Sequence, residues 1–120
     1  MSDTSGAPHR ISLDAAIKMT TLYRAQRDVI LGVQWQGKDL LPLSETFDRT
    51  AFDRLLAQPG CAAVRIYYGM DETLQVRAVV VGVNAKDEDI LPTPDAPDAE
   101  ILDISKLCPP VCGVESPLNS

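Results

Sequence analysis

Ala63-Val64-Arg65-Ile66-Tyr67-Tyr68, then Gly69-Met70-Asp71-Glu72-Thr73, then the run from Leu74 to Val83 (Leu-Gln-Val-Arg-Ala-Val-Val-Val-Gly-Val) decide the fold of this 120-residue chain. In the first segment the side chains alternate. Val64, Ile66 and Tyr68 point one way, and Ala63, Arg65 and Tyr67 the other, which is the period of a β-strand. The second segment has the composition of a turn. The third is β-branched and ends apolar on both faces, the pattern of a strand covered from both sides. The short connection makes the pair antiparallel. Two strands are not independently stable, so a further strand, a helix layer or a second subunit must complete the sheet. Ile101-Leu102-Asp103-Ile104 and the neighbourhood of Val33 to Trp35 are the two candidate third strands.

Upstream, the apolar period changes from two to about 3.6. Leu13, Ala16, Ile17, Thr20 and Tyr23 recur at helical spacing, and Ser12 and Asp14 suit the helix N-terminus. This predicts one helix over 13–31, stopped by Gly32. A second begins after Asp48, where Phe47 and Phe52 hold the positions of a hydrophobic staple. It runs through Leu55 and Leu56 to Pro59-Gly60. The expected fold is therefore α+β: two N-terminal helices packed on a small antiparallel sheet built around a hairpin. Residues 1–10 read as a flexible arm, 11–86 as the α+β domain, 87–100 as an acidic Pro-rich linker and 101–120 as a cysteine-bearing tail. The linker region owes its reading to Pro92, Pro94 and Pro97, set among Asp87, Glu88, Asp89, Asp95, Asp98 and Glu100.

The net charge is −6, and it lies wholly in residues 61–120, with four basic against ten acidic residues, whereas residues 1–60 hold seven of each. That distribution repels phosphate, so neither a nucleic acid nor an anionic membrane surface is expected as partner. The longest apolar run, Ala78 to Val83, is far short of a membrane span, and the first residues lack the features of a secretory signal. The expected location is the cytoplasm, where thiols are mostly reduced.

Cys108-Pro109-Pro110-Val111-Cys112 holds two of the three cysteines. Three readings compete. The plainest is two small apolar side chains pinning the tail to the core. A reversible disulfide is the second. The third is half of a zinc site, completed by Cys61 and His9 as a Cys3His set. Arg65 and Arg77, on adjacent strands beside Tyr67, suggest an anion or partner contact, set against simple pairing with surface carboxylates. Trp35, between Gly32 and Gly37, reads either as a partner anchor or as a plug in its own core. Ser12, Ser44, Ser105, Ser116 and Ser120 have a single histidine, His9, to activate them, and no phosphate-cradling glycine loop is present, so catalysis is not expected.

Leu41-Pro42-Leu43-Ser44-Glu45-Thr46-Phe47, Leu56-Ala57-Gln58-Pro59-Gly60-Cys61, Arg65-Ile66-Tyr67-Tyr68-Gly69-Met70 and Val80-Val81-Gly82-Val83-Asn84, followed by Cys-Pro-Pro-x-Cys, resemble a family of small uncharacterised bacterial proteins over roughly residues 11–112. The resemblance implies a bacterial cytoplasmic protein and assigns no site residue. The exposed edges of so small a sheet favour pairing with a second copy. The leading expectation is a non-enzymatic protein-binding or self-assembly module, homo-oligomeric or bound to another protein. The main competitor is a thiol protein using Cys108 and Cys112 for metal binding or redox switching. A domain that binds small molecules through Arg65, Tyr67 and Arg77 comes third.

Overall fold

The computed structural model describes residues 9–95, 97–103 and 105–119. The first eight residues of the expected arm, and Ile104 of the candidate third strand, lie outside these. The fold is mixed α+β with two helices and antiparallel sheets: α1 (Leu13–Gln26), β1 (Ser44–Thr46), α2 (Arg49–Leu56), β2 (Ala63–Met70), β3 (Val76–Val83), β4 (Asp89–Ile90), β5 (Ile101–Leu102) and β6 (Lys106–Cys108). The expected hairpin is present, but Gly69 and Met70, read as turn, extend β2, and β3 begins at Val76, not Leu74. β2 and β3 pair antiparallel from Ala63 opposite Val83 to Met70 opposite Val76. Asp71 shapes the connection, its Oδ1 accepting from the Thr73 backbone N–H at 2.9 Å, the Thr73 hydroxyl at 2.6 Å and the Gln75 N–H at 3.1 Å.

The remaining edge of β3 is closed position by position, each time by a different part of the chain. The Val76 N–H donates to the Leu40 carbonyl at 2.7 Å. The Ala78 N–H donates to Glu45 Oε2 at 2.8 Å. Val80 lies opposite Leu102 of β5, and Gly82 opposite Ile90 of β4. The Ile101–Leu102 segment thus supplies a strand, whereas Val33–Trp35 forms a 3-10 turn. Residues 89–90, which read as linker, belong to this sheet. β6 pairs separately with β1, Cys108 opposite Ser44 and Lys106 opposite Thr46.

The core is made where α2 crosses β3 and β5. Leu55, Val80 and Leu102 are buried together, with Phe47, Ala51, Phe52 and Ala78 packed around them. Phe47 and Phe52 meet edge to face, centroids 5.4 Å apart, so the staple predicted from their spacing is formed.

The first helix departs from expectation twice. It ends at Gln26, not Leu31, and it buries no residue. Arg27 and Asp28 turn aside, Arg27 Nε to the Leu41 carbonyl at 2.7 Å and Asp28 Oδ2 to the Gly37 N–H at 3.1 Å. The β-branched Val29 and Ile30 then add little helix propensity. α1 is tied on by polar contacts, including Tyr23 Oη to the Pro42 carbonyl at 2.7 Å and Arg24 Nη1 to the Leu118 carbonyl at 2.6 Å.

Candidate functional site: the open edge of β2

The hydrogen-bond phase of the hairpin determines which groups face outward. Gln75 and Asp71 form a bonded pair, since the Asp71 N–H donates to the Gln75 carbonyl at 3.0 Å. In an antiparallel ladder bonded and non-bonded pairs alternate, so Gly69, Tyr67, Arg65 and Ala63 direct their N–H and C=O groups at β3. Val64, Ile66, Tyr68 and Met70 direct theirs away from it. The use of the Val76 and Ala78 N–H groups on the opposite edge of β3 agrees with this phase. Among the described residues, nothing pairs with the outward backbone groups of β2.

The same four residues carry apolar side chains on one face of the sheet, the face α2 packs on, because Ile66 is in register with buried Val80 and Tyr68 with Ala78. α2 does not reach them. Val64 is 37% exposed, Ile66 50%, Tyr68 83% and Met70 61%. An eight-residue strand with open backbone groups, an apolar stripe, and neither proline nor lysine is the kind of edge that proteins normally blunt.

Two hollows continue this surface. A groove of about 410 Å³ is walled by Tyr23 and Tyr68 and includes Leu41, Leu43 and Val76 in its lining. A second, of about 280 Å³, is lined by Trp35, Leu40, Met70 and Leu74. Trp35, under Lys38 with Nζ 5.6 Å from the ring centroid, is thereby brought beside Met70 at the end of the strand.

Arg65, Tyr67 and Arg77 share the opposite face, Arg65 in register with Val81, Tyr67 with Val79 and Arg77 with Gly69. The two guanidinium groups do not combine into an anion patch, because each is held by two carboxylates. Arg65 pairs with Asp87 at 2.5 Å and Asp89 at 2.6 Å. Arg77 pairs with Asp103 at 3.3 Å and Asp71 at 3.7 Å. Tyr67 Oη also donates to Asp89. The Tyr67 hydrogen bond, then those from Arg65, hold the Asp89 carboxyl below its ordinary range. The same Asp89 bond pushes the Tyr67 hydroxyl up. Asp71 is likewise lowered, first by the Thr73 hydroxyl. Local charge around each arginine is negative, a setting that disfavours anions.

The candidate zinc ligands are not brought together. Cys108 and Cys112 are joined to each other as a disulfide. Cys61 is a free thiol beside Gly82, its Sγ 3.4 Å from the Ala63 carbonyl, and His9 stands exposed at the start of the described chain. Among the described residues, no three His, Cys, Asp or Glu side chains gather as metal ligands. Cys108 is nonetheless fully buried, and its carbonyl accepts the Leu43 N–H at 2.6 Å, so the motif anchors the tail to the domain.

No helix of the described residues is long and apolar enough to cross a membrane. No family model, curated protein or solved structure matches the chain.

The alternation of residues 63 to 68 is visible in sequence, but the continuation of the strand through Met70 and the openness of its edge are not, because the edge depends on where α1 and the C-terminal strands go. Glu45 as an edge cap was also missed. Its only sequence signal is an acidic residue in an otherwise half-apolar segment.

Proposed function

We propose that this chain is a non-enzymatic protein-binding or self-assembly module that accepts an extended strand along β2. The open, apolar, eight-residue edge of β2 carries this reading. Backbone hydrogen bonds supply affinity in such strand addition, and alternate side chains supply selectivity. The flanking hollows at Tyr68 and Met70 are places for a partner's side chains. The test is titration of the wild-type chain with a synthetic peptide of residues 63–70, followed by the amide resonances of Val64, Ile66, Tyr68 and Met70. Saturable shifts at these amides are expected, and Ile66→Lys should weaken binding by roughly tenfold or more, since a charge at an edge opposes pairing. A wild-type chain that neither binds the peptide nor associates with itself overturns the reading.

A second reading is favoured by the Cys108–Cys112 disulfide: a thiol protein in which this bond opens and closes as a redox switch. In a cytoplasmic setting such a bond would be transient or regulatory. Mass spectrometry of the chain with and without a dithiol reductant, combined with sedimentation, separates the two. A change of association state on reduction supports the switch. Association indifferent to reductant retires it.

A further inference from the structure

Resting on the strand-addition reading, the geometry points to a second copy of this chain as the occupant of β2, paired antiparallel about a two-fold axis that passes through Tyr67. The outward backbone groups belong to the even-numbered residues 64, 66, 68 and 70, so any antiparallel self-pairing must set even against even. The axis then falls on a residue: 65, 66, 67 or 68. An axis at Arg65 sets that guanidinium against its own copy, which costs free energy. An axis at Ile66 leaves Met70 opposite Ala62, outside the strand, and one at Tyr68 leaves Val64 opposite Glu72 of the turn. Only the axis at Tyr67 pairs all four residues with one another.

In that register Val64 lies opposite the partner's Met70 and Ile66 opposite the partner's Tyr68. Each such pair exchanges two backbone hydrogen bonds. On the other face Arg65 lies opposite the partner's Gly69, which has no side chain to obstruct the arginine and no charge to oppose it. On the α2 face the strand is thus apolar against apolar throughout, and on the other face Arg65 meets Gly69 on either side of a central Tyr67 pair. Such an isologous pairing joins two four-stranded sheets into one.

The experiment places a cysteine on the axis. Tyr67→Cys, in a Cys61→Ser background with the Cys108–Cys112 disulfide intact, is exposed to mild oxidation. Residues on the axis form a narrow pair with Cα atoms about 4.5 Å apart, within disulfide reach, so a covalent dimer is expected. Gly69→Cys in the same background should give none, because its two copies stand about four residues, roughly 13 Å, apart. Since Tyr67→Cys also removes a hydrogen bond to Asp89, hydrogen exchange on the unaltered chain supplies an independent check. The Ile66 and Tyr68 amides should gain protection as concentration rises, in step with a doubling of mass by sedimentation. A dimer that cross-links at Gly69 but not at Tyr67 overturns the register. A monomer at every accessible concentration overturns self-pairing, and if that monomer still binds the 63–70 peptide, strand addition stands without it.

Discussion

Arg65 on β2 reaches across β3 to Asp89 on β4, Nη1 to Oδ1 at 2.6 Å, on the face that carries Val79, Val81 and Val83. Val81 and Val83 are buried there, while α2 packs on the opposite face with Val80 and Ala78. The salt bridge with its aliphatic stem, together with Tyr67, stands in for a layer of secondary structure.

Acid should therefore loosen this face first. Asp89 and Asp71 both have folded-state pKa values held below those of the unfolded chain. Their contribution is complete at neutral pH, where both states are ionised. It is lost as pH falls below the ordinary carboxylate range near 4 and through the lowered folded values. The melting temperature should fall across that window, and Asp89→Asn should flatten the fall while lowering the plateau at neutral pH. A melting temperature independent of pH over the same interval would contradict this.

Proline scanning of β2 should give alternating results. The Ile66 N–H points outward and serves no internal bond, so Ile66→Pro should leave a folded chain that can no longer pair at its edge. The Tyr67 N–H is used in the ladder to β3, so Tyr67→Pro removes that bond and should lower the melting temperature sharply or prevent folding. Circular dichroism melts of the two variants decide it. Equal damage at both positions would show that the hydrogen-bond phase is wrong.

Opening the Cys108–Cys112 bond removes a constraint on a short loop, worth about 2 kcal/mol on the loop-entropy model. Cys112→Ser should lower stability by about that amount in a denaturant melt. The wild type under a dithiol reductant should show the same loss. If reductant changes nothing, the bond is not formed in solution.

The core is small, and its centre is sensitive. Leu55 is fully buried between β3 and β5, so Leu55→Ala should cost about 2–5 kcal/mol. Gly60, at φ +76° after α2, has open space where a Cβ would go. Gly60→Ala should therefore lose only the left-handed backbone term, about 1 kcal/mol. Urea midpoints of the two variants would rank them, and the reverse order would displace Leu55 from the centre of the core.

Local pattern carried much of this fold. The hairpin follows from alternation at 63–68, and α2 from Asp48 with the Phe47–Phe52 pair, because both depend on neighbours within a few residues. The fate of α1 was not legible. Its apolar positions predict a packed helix, but Arg24 and Arg27 are committed to carbonyls at Leu118 and Leu41, and distant partners of that kind leave no periodic trace. Asp87 and Asp89 read as linker charges for the same reason, their counter-ion lying 24 residues from Asp89 in sequence. The candidate site fared alike. Its apolar residues were plain, and its openness emerged only from tertiary arrangement.

The patchwork of Leu40, Glu45, β5 and β4 along the far side of β3 has a consequence for growth. A sheet with two free long edges can add copies at both and extend without limit. Here one side is stoppered by a carbonyl, a carboxylate and two strands of two residues each, too short to template another chain. With a single sticky side, addition of one copy through β2 exhausts it. Under the proposed pairing, assembly would end at a pair and not grow into a fibre.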